Sequence, residues 1–166
     1  MSSITKIVLL ISIVIAVVIF FFYYVLHTRE KDISTNNPFA VILNKKLVAV
    51  DAAVLIKNST TYYTDDYPEE LTAVDTYDLS VIKHVMVPKE SVFTFYKALE
   101  ITNATSGYTR RFLLGEVVLA NTTKKHLIIY SWGFLKTFGK YEQQKNYWDF
   151  AKAPWENVKK ENFYVK

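Results

Sequence analysis

A mainly β fold behind one N-terminal transmembrane helix is what this sequence predicts, and three observations carry that reading. The stretch Ile7–Leu26 (IVLLISIVIAVVIFFFYYVL) holds no charged residue. As a helix rising about 1.5 Å per residue, some 20 residues cross a bilayer core of about 30 Å. Downstream, short apolar runs recur between clusters of Asn, Thr, Ser, Pro and Gly, the pattern of strands joined by turns. Finally, about 130 residues follow the anchor, which is one domain's worth of chain. The expected organisation is a tail and anchor over 1–31, a linker over 32–46 and an extracytoplasmic β-rich domain over 47–166.

The anchor must be helical, because every peptide group in hydrocarbon needs an internal partner. Its Ile and Val content would suit a strand, but buried strands stop at roughly 8 residues. Ile7, Leu10, Val14 and Phe20 supply the apolar body, and Tyr23, Tyr24 and Leu26 lie at the interfacial end. Ser12 is tolerable there if its hydroxyl bonds a carbonyl one turn back. A cleaved signal peptide is the competing reading. Its apolar region is shorter, roughly 7–15 residues, and no small-residue cleavage pair follows Leu26. Lys6 on one flank and Arg29 with Lys31 on the other leave the positive-inside count close to a tie. The short N-terminal tail favours a cytoplasmic N-terminus and an exported domain.

Composition narrows the class further. Lys and Arg outnumber Asp and Glu by 20 to 16, but the surplus is dispersed in doublets such as Lys45-Lys46 and Lys124-Lys125. Nucleic-acid binders concentrate such charge on one element, so no nucleic-acid partner is expected. With no cysteine, disulfides, thiolate nucleophiles and Cys-ligated zinc are excluded. Asn58, Asn103 and Asn121 head N-x-S/T sequons, read here as turn chemistry rather than glycosylation. The bias to Lys, Asn, Ile, Tyr and Phe suggests an AT-rich bacterial source, and hence the bacterial inner membrane with a periplasmic domain.

Taken in order, Asp32–Pro38 (DISTNNP) is polar and turn-rich, a short linker. Leu47–Ile56 reads as a strand. Asn58–Ser80 reads as a long polar connection carrying Asp65, Asp66, Glu69, Glu70, Asp75 and Asp78. Val81–Val87 and Ser91–Leu99 are strands joined at Pro88-Lys89-Glu90, where Pro takes its fixed φ. Arg111–Ala120 and Lys125–Trp132 form a hairpin around Asn121-Thr122-Thr123. Tyr141–Phe150 is expected as a short helix that Ala153-Pro154-Trp155-Glu156 ends. Five closely spaced strands imply a small antiparallel barrel or sandwich.

The long acidic loop after the first strand, the three consecutive hairpin-linked strands and the turn Val87-Pro88-Lys89-Glu90-Ser91 together resemble the bacterial SH3-like barrel over about Leu47 to Trp132. Glu90 stands where that turn often has glycine, and the Gly-Trp opening of a late strand is missing. The resemblance implies a barrel fold and a ligand-binding module for cell-wall peptide or a protein tail. It transfers no binding residue.

Chemistry finds few candidates. His84 shares a face with Ile82 and Met86, and His126 with Ile128 and Tyr130. If their strands paired the imidazoles would meet, but no third ligand is placed for a metal. Structural histidines are the plainer reading. The loop acids lack the glycine and spacing of an EF-hand, and G-x-S-x-G is absent around Ser131. No enzyme, cofactor or metal is expected. The last quarter is dense in rings, and core or lid packing explains most of them. Trp132, Phe134, Tyr147, Trp148 and Trp155, with Arg110 and Arg111, are the candidates for an interface, since Trp, Tyr and Arg dominate binding hot spots. The expected function is therefore a structural or scaffolding subunit of a bacterial envelope complex. A secretion or export machine is one such setting, with the lipid bilayer and other envelope proteins as partners in an oligomeric complex.

Overall fold

The computed structural model describes residues 3–57, 67–74, 76, 78–80, 82–104, 106–120, 122–138, 145–159 and 163–164. In chain order the elements are α1 (Ser3–Leu26), β1 (Arg29–Asp32), α2 (Phe39–Ile42), β2 (Lys46–Val48), β3 (Ala53–Lys57) and β4 (Glu69–Ala73). They continue with β5 (His84–Val87), β6 (Val92–Thr102), β7 (Thr109–Val118), β8 (Lys125–Phe138), β9 (Lys145–Asp149) and β10 (Phe163–Tyr164). Two compact units result. One comprises Met1–Arg29 with Thr102–Tyr108, the other Glu30–Ile101 with Thr109–Lys166.

The first unit holds α1, in which Ile7–Leu26 is long and apolar enough to cross a membrane. None of that stretch is buried by protein, as expected of a helix whose apolar side chains point outward all round. Ser12 Oγ donates to the Val8 carbonyl at 3.0 Å, one turn back. Tyr23 stacks on His27 at 5.6 Å, and the Arg29 guanidinium lies over the Tyr24 ring at 6.0 Å. The loop of this unit is turn chemistry: Asn103 Oδ1 accepts from the Ser106 N–H at 3.0 Å. Asn58 and Asn121 lie outside the described residues.

The second unit is built on a ten-stranded mixed sheet whose path runs β1-β6-β7-β8-β4-β3-β5. β2 also pairs with β6, β9 with β8, and β10 with β9. The path has two ends, so the sheet is open, and the expected closed SH3-like barrel is corrected to that extent. The sheet is not purely antiparallel either, because β4 runs parallel to β8 with Leu71 beside Tyr130. The expected hairpin link at Pro88-Lys89-Glu90 is revised as well, since β5 pairs with β3 and not with β6. Val48 lies opposite Val92 and Ala53 opposite Val87, with equal lengths of chain between the two pairs on each side. β2 with β3 and β5 with β6 thus follow one antiparallel register that bends at 49–52 and 88–91. The bend is tied by Ser91, whose buried Oγ donates to the Pro88 carbonyl at 2.7 Å and accepts from the Ala120 N–H at 3.2 Å. Glu90 adopts φ +69°, so it occupies a left-handed position that favours glycine.

Three expectations for secondary structure are revised. Residues 145–149 form β9 against β8, pairing Trp148 with Leu135, and not a helix. Strand alternation then sends the Tyr147 and Trp148 rings to opposite faces, so Tyr147, Trp148 and Phe150 do not share one face as a helix would place them. β4 lies inside the stretch read as polar connection, because a single apolar residue, Leu71, is enough to commit it to the core. The stretch 32–46 enters the fold rather than linking to it. Ile33, Phe39 and Ile42 are buried in the main core, and Ile33 N–H donates to the Ala98 carbonyl at 3.0 Å. Ile33 lies among turn-forming polar residues, and Phe39 and Ile42 belong to the short apolar run Phe39–Leu43.

The main core gathers residues from almost every strand, among them Leu55, Leu71, Phe93, Phe95, Leu113, Ile128, Tyr130 and Trp132. A second cluster of Leu99, Ile101, Phe112, Leu114 and Ile129 lies on the other face of β6, β7 and β8, with Tyr67 packed against it. These strands are buried on both sides there, and so read as unbroken apolar runs. Close packing of β6 on β7 depends on Gly115, where a Cβ would collide with the Thr94 carbonyl oxygen and lie 2.7 Å from Phe95 Cα.

Candidate functional site

Four strand ends converge at one end of the sheet interior. Lys57 closes β3 opposite Glu69, which opens β4. His84 opens β5 opposite Ile56. Glu69 lies alongside Ile128 in the parallel pair, which brings it to His126 near the start of β8. The His126 Nδ1 is 2.7 Å from Glu69 Oε2, and His126 is only 7% exposed. A carboxylate only accepts, so Nδ1 carries the proton. Beside this pair is a cavity of about 270 Å³ lined by Leu55, Ile56, Pro68, Val85, Lys57, Lys83, His84 and Glu69.

His84 Nδ1 lies 2.8 Å from the Ile82 carbonyl. That bond assigns the proton to Nδ1 and leaves Nε2 as the acceptor of the neutral ring. The two imidazoles do not pair, because β3 and β4 lie between β5 and β8. Glu69 stands between them, bonded to one and lining the cavity with the other. Among the described residues no three His, Asp or Glu side chains gather as a metal site.

The acids expected on one solvated loop have separate fates. Glu69 and Glu70 lie on β4. Burial pushes the Glu70 carboxyl above its ordinary value, against the pull of Arg110. Asp78 Oδ1 accepts from the Ser80 hydroxyl at 2.6 Å and from its N–H at 3.0 Å, which holds that carboxyl below the usual range. Asp65, Asp66 and Asp75 lie outside the described residues.

The aromatic candidates sit mostly inside the protein. Trp132 is fully buried and Trp148 nearly so. The Trp132 indole N–H donates to the Ala151 carbonyl at 3.0 Å, and its ring meets Phe39, Phe150 and Trp155 edge-on. Trp155 is half-buried and packs against Phe93, Phe95 and Tyr130. Burial and the neighbouring Glu156 push the Tyr130 phenol well up. Arg111 bonds Glu100 at 2.9 Å while its guanidinium stacks on Trp148, 3.5 Å from the ring centroid. It joins β6, β7 and β9. Arg110 lies over the half-buried Phe134 at 5.6 Å, and Tyr147 is half-buried on β9. Rings separated widely in sequence thus form one packed end; of the seven candidates Trp132 and Trp148 are buried, and the other five are partly exposed.

The anchor residues Ile7, Leu10, Val14, Phe20, Tyr23, Tyr24 and Leu26 are all on α1 and exposed. Lys57 and Lys83 were not distinguishable in the sequence from any other surface lysine. The one signal they carried was position, each bounding a short apolar run.

Compared with protein-family models, with curated proteins and with solved structures, the chain matches none.

Proposed function

We propose that this chain is a membrane-anchored docking subunit of a bacterial envelope assembly. In this reading α1 crosses the inner membrane once, and the β unit stands in the periplasm as a scaffold for neighbouring envelope proteins. The observation that carries it is the uninterrupted apolar helix Ile7–Leu26, none of it buried by protein, followed by a domain with its own dense core. Such a helix has no aqueous home, so lipid is its natural solvent. A secretion or export machine is a setting that suits a subunit whose task is positioning. The half-buried Phe134, Tyr147 and Trp155 with Arg110 are the residues through which the ring-filled end would meet a neighbour.

Gentle extraction of the full-length protein from its native membrane, followed by measurement of the mass of the complex, tests this reading. A defined assembly with co-purifying envelope proteins is expected. A lone monomer or dimer would overturn it.

A second reading is supported by the cavity at Lys57, Glu69 and His84. It makes the unit a ligand-binding module, a relative in design of SH3-like domains. At about 270 Å³ the cavity is smaller than the roughly 300–1,000 Å³ of a drug-sized site. It suits a single peptide residue, from the cell wall or from a protein tail.

A further inference from the structure

We infer that the cavity takes the C-terminal residue of a partner polypeptide that adds as an antiparallel strand to β5. The inference rests on the ligand-binding reading above and names its ligand. Three independent features meet there. β5 ends the strand path, so among the described residues only β3 pairs with it. An open edge offers unpaired N–H and C=O groups, the template that extended peptides use when they join a sheet.

The cavity lies at the start of β5. Lys83, His84 and Val85 form one side of it, and Leu55, Ile56 and Pro68 supply apolar wall. A strand running antiparallel to β5 ends its own chain at that point. Both the side chain and the terminal carboxylate of its last residue then fall at the cavity.

Charge selects the carboxylate. Lys57 and Lys83 are exposed, and neither forms an ion pair with a described residue. The one acid on the wall, Glu69, is already engaged by His126. The lining therefore presents two ammonium groups without an ion-pair partner among the described residues, beside apolar surface and complementary to an apolar residue bearing a free carboxylate.

The experiment uses the full-length, isotope-labelled protein in detergent micelles. The probes are the peptide acetyl-Thr-Val-Thr-Leu with a free carboxylate and the same peptide as its C-terminal amide. Amide signals of 83–87 are expected to shift on titration with the acid. Binding is expected to weaken at least about tenfold for the amide peptide, and equally for the variant K57Q/K83Q. That variant should keep the wild-type Tm, since both lysines are solvent-exposed. A nitroxide on the peptide N-terminus should broaden Val87 more than Lys83. Equal binding of acid and amide, an unaffected double variant, or strongest broadening at Lys83 would each overturn the inference while leaving a ligand site at β5. If neither peptide shifts 83–87 at millimolar concentration, the ligand-binding reading fails with it. The mass of the native complex is untouched by any of these results.

Discussion

Along β8, alternation sends His126, Ile128, Tyr130 and Trp132 to one face, and the two ends of that row are filled in opposite ways. Around Trp132 the interior is closed by large rings from distant segments, Phe39, Phe93, Phe95, Phe150 and Trp155. Around His126 it is closed by one short hydrogen bond to Glu69, and an open cavity remains beside it. Rings fill volume efficiently and close that end. A carboxylate–imidazole pair fills little volume and leaves polar groups at a mouth. The difference teaches where stability and recognition reside: the ring end holds the fold, and the His126 end has space and charge to spare.

The comparison breaks first if Trp132 proves dispensable. Trp132→Ala should cost about 3–5 kcal/mol, the range for deleting a large buried ring, measured by equilibrium denaturation of the β unit in the full-length chain. A loss under about 1 kcal/mol would mean the ring end is not the stabilising one. Gly115→Ala comes next, because its methyl would meet the Thr94 carbonyl and the Phe95 backbone. Overpacking of this kind costs about 1–3 kcal/mol. At the other end, His126→Ala strips Glu69 of its partner and should cost about 1 kcal/mol, since Glu69 remains 26% exposed. A larger loss than that of Trp132→Ala would reverse the comparison.

Acid and base should act with opposite sign on two carboxyls, one of them at the ring end. Asp149, on β9 at the ring end, accepts from Lys136 and Lys159, and these bonds hold its carboxyl below the ordinary value of 3.8. Its contribution is fully present above that ordinary value and is lost as the pH falls through the depressed one. Thermal melts of Asp149→Asn should therefore lose less stability in acid than the wild type. Glu70, at the start of β4, is raised above 4.5 by burial. The folded state holds its proton longer than the unfolded one, so stability falls as the pH rises from that ordinary value through the raised one. Glu70→Gln should show a small rise in Tm near neutral pH that vanishes in acid. An unchanged melt in both variants would remove the electrostatic half of the comparison.

Much of the second unit was legible because burial leaves a local trace. The runs Leu47–Ile56, Val81–Val87, Ser91–Leu99, Arg111–Ala120 and Lys125–Trp132 correspond to β2 with β3, β5, β6, β7 and β8, within the usual play of boundaries. β4 escaped because Leu71 alone carries its commitment to the core. β9 reads as a helix in the sequence because its period is ambiguous over so few residues. Its edge-on pairing with β8 is a tertiary event. Ile33 was hidden in the turn-rich stretch Asp32–Pro38, and Phe39 opens an apolar run of five residues, too short to mark a core element by period. Of the site, His84, His126 and Glu69 could be singled out by residue type, but their arrangement could not, since it depends on β3 and β4 lying between β5 and β8.

By itself, the amino-acid order determined the apolar helix, the strand-rich domain after it and the absence of cysteine chemistry. Those properties follow from composition and short-range period, which a chain carries before it folds. Tertiary structure alone decided the parallel pairing of β4 with β8, the open path of the sheet and the internal fate of Trp132 and Trp148. It also set Glu69 against His126 and placed Lys57 and Lys83 beside a cavity. Each of these depends on which strand becomes neighbour to which, a choice made by burying the whole apolar surface at once rather than by any one segment.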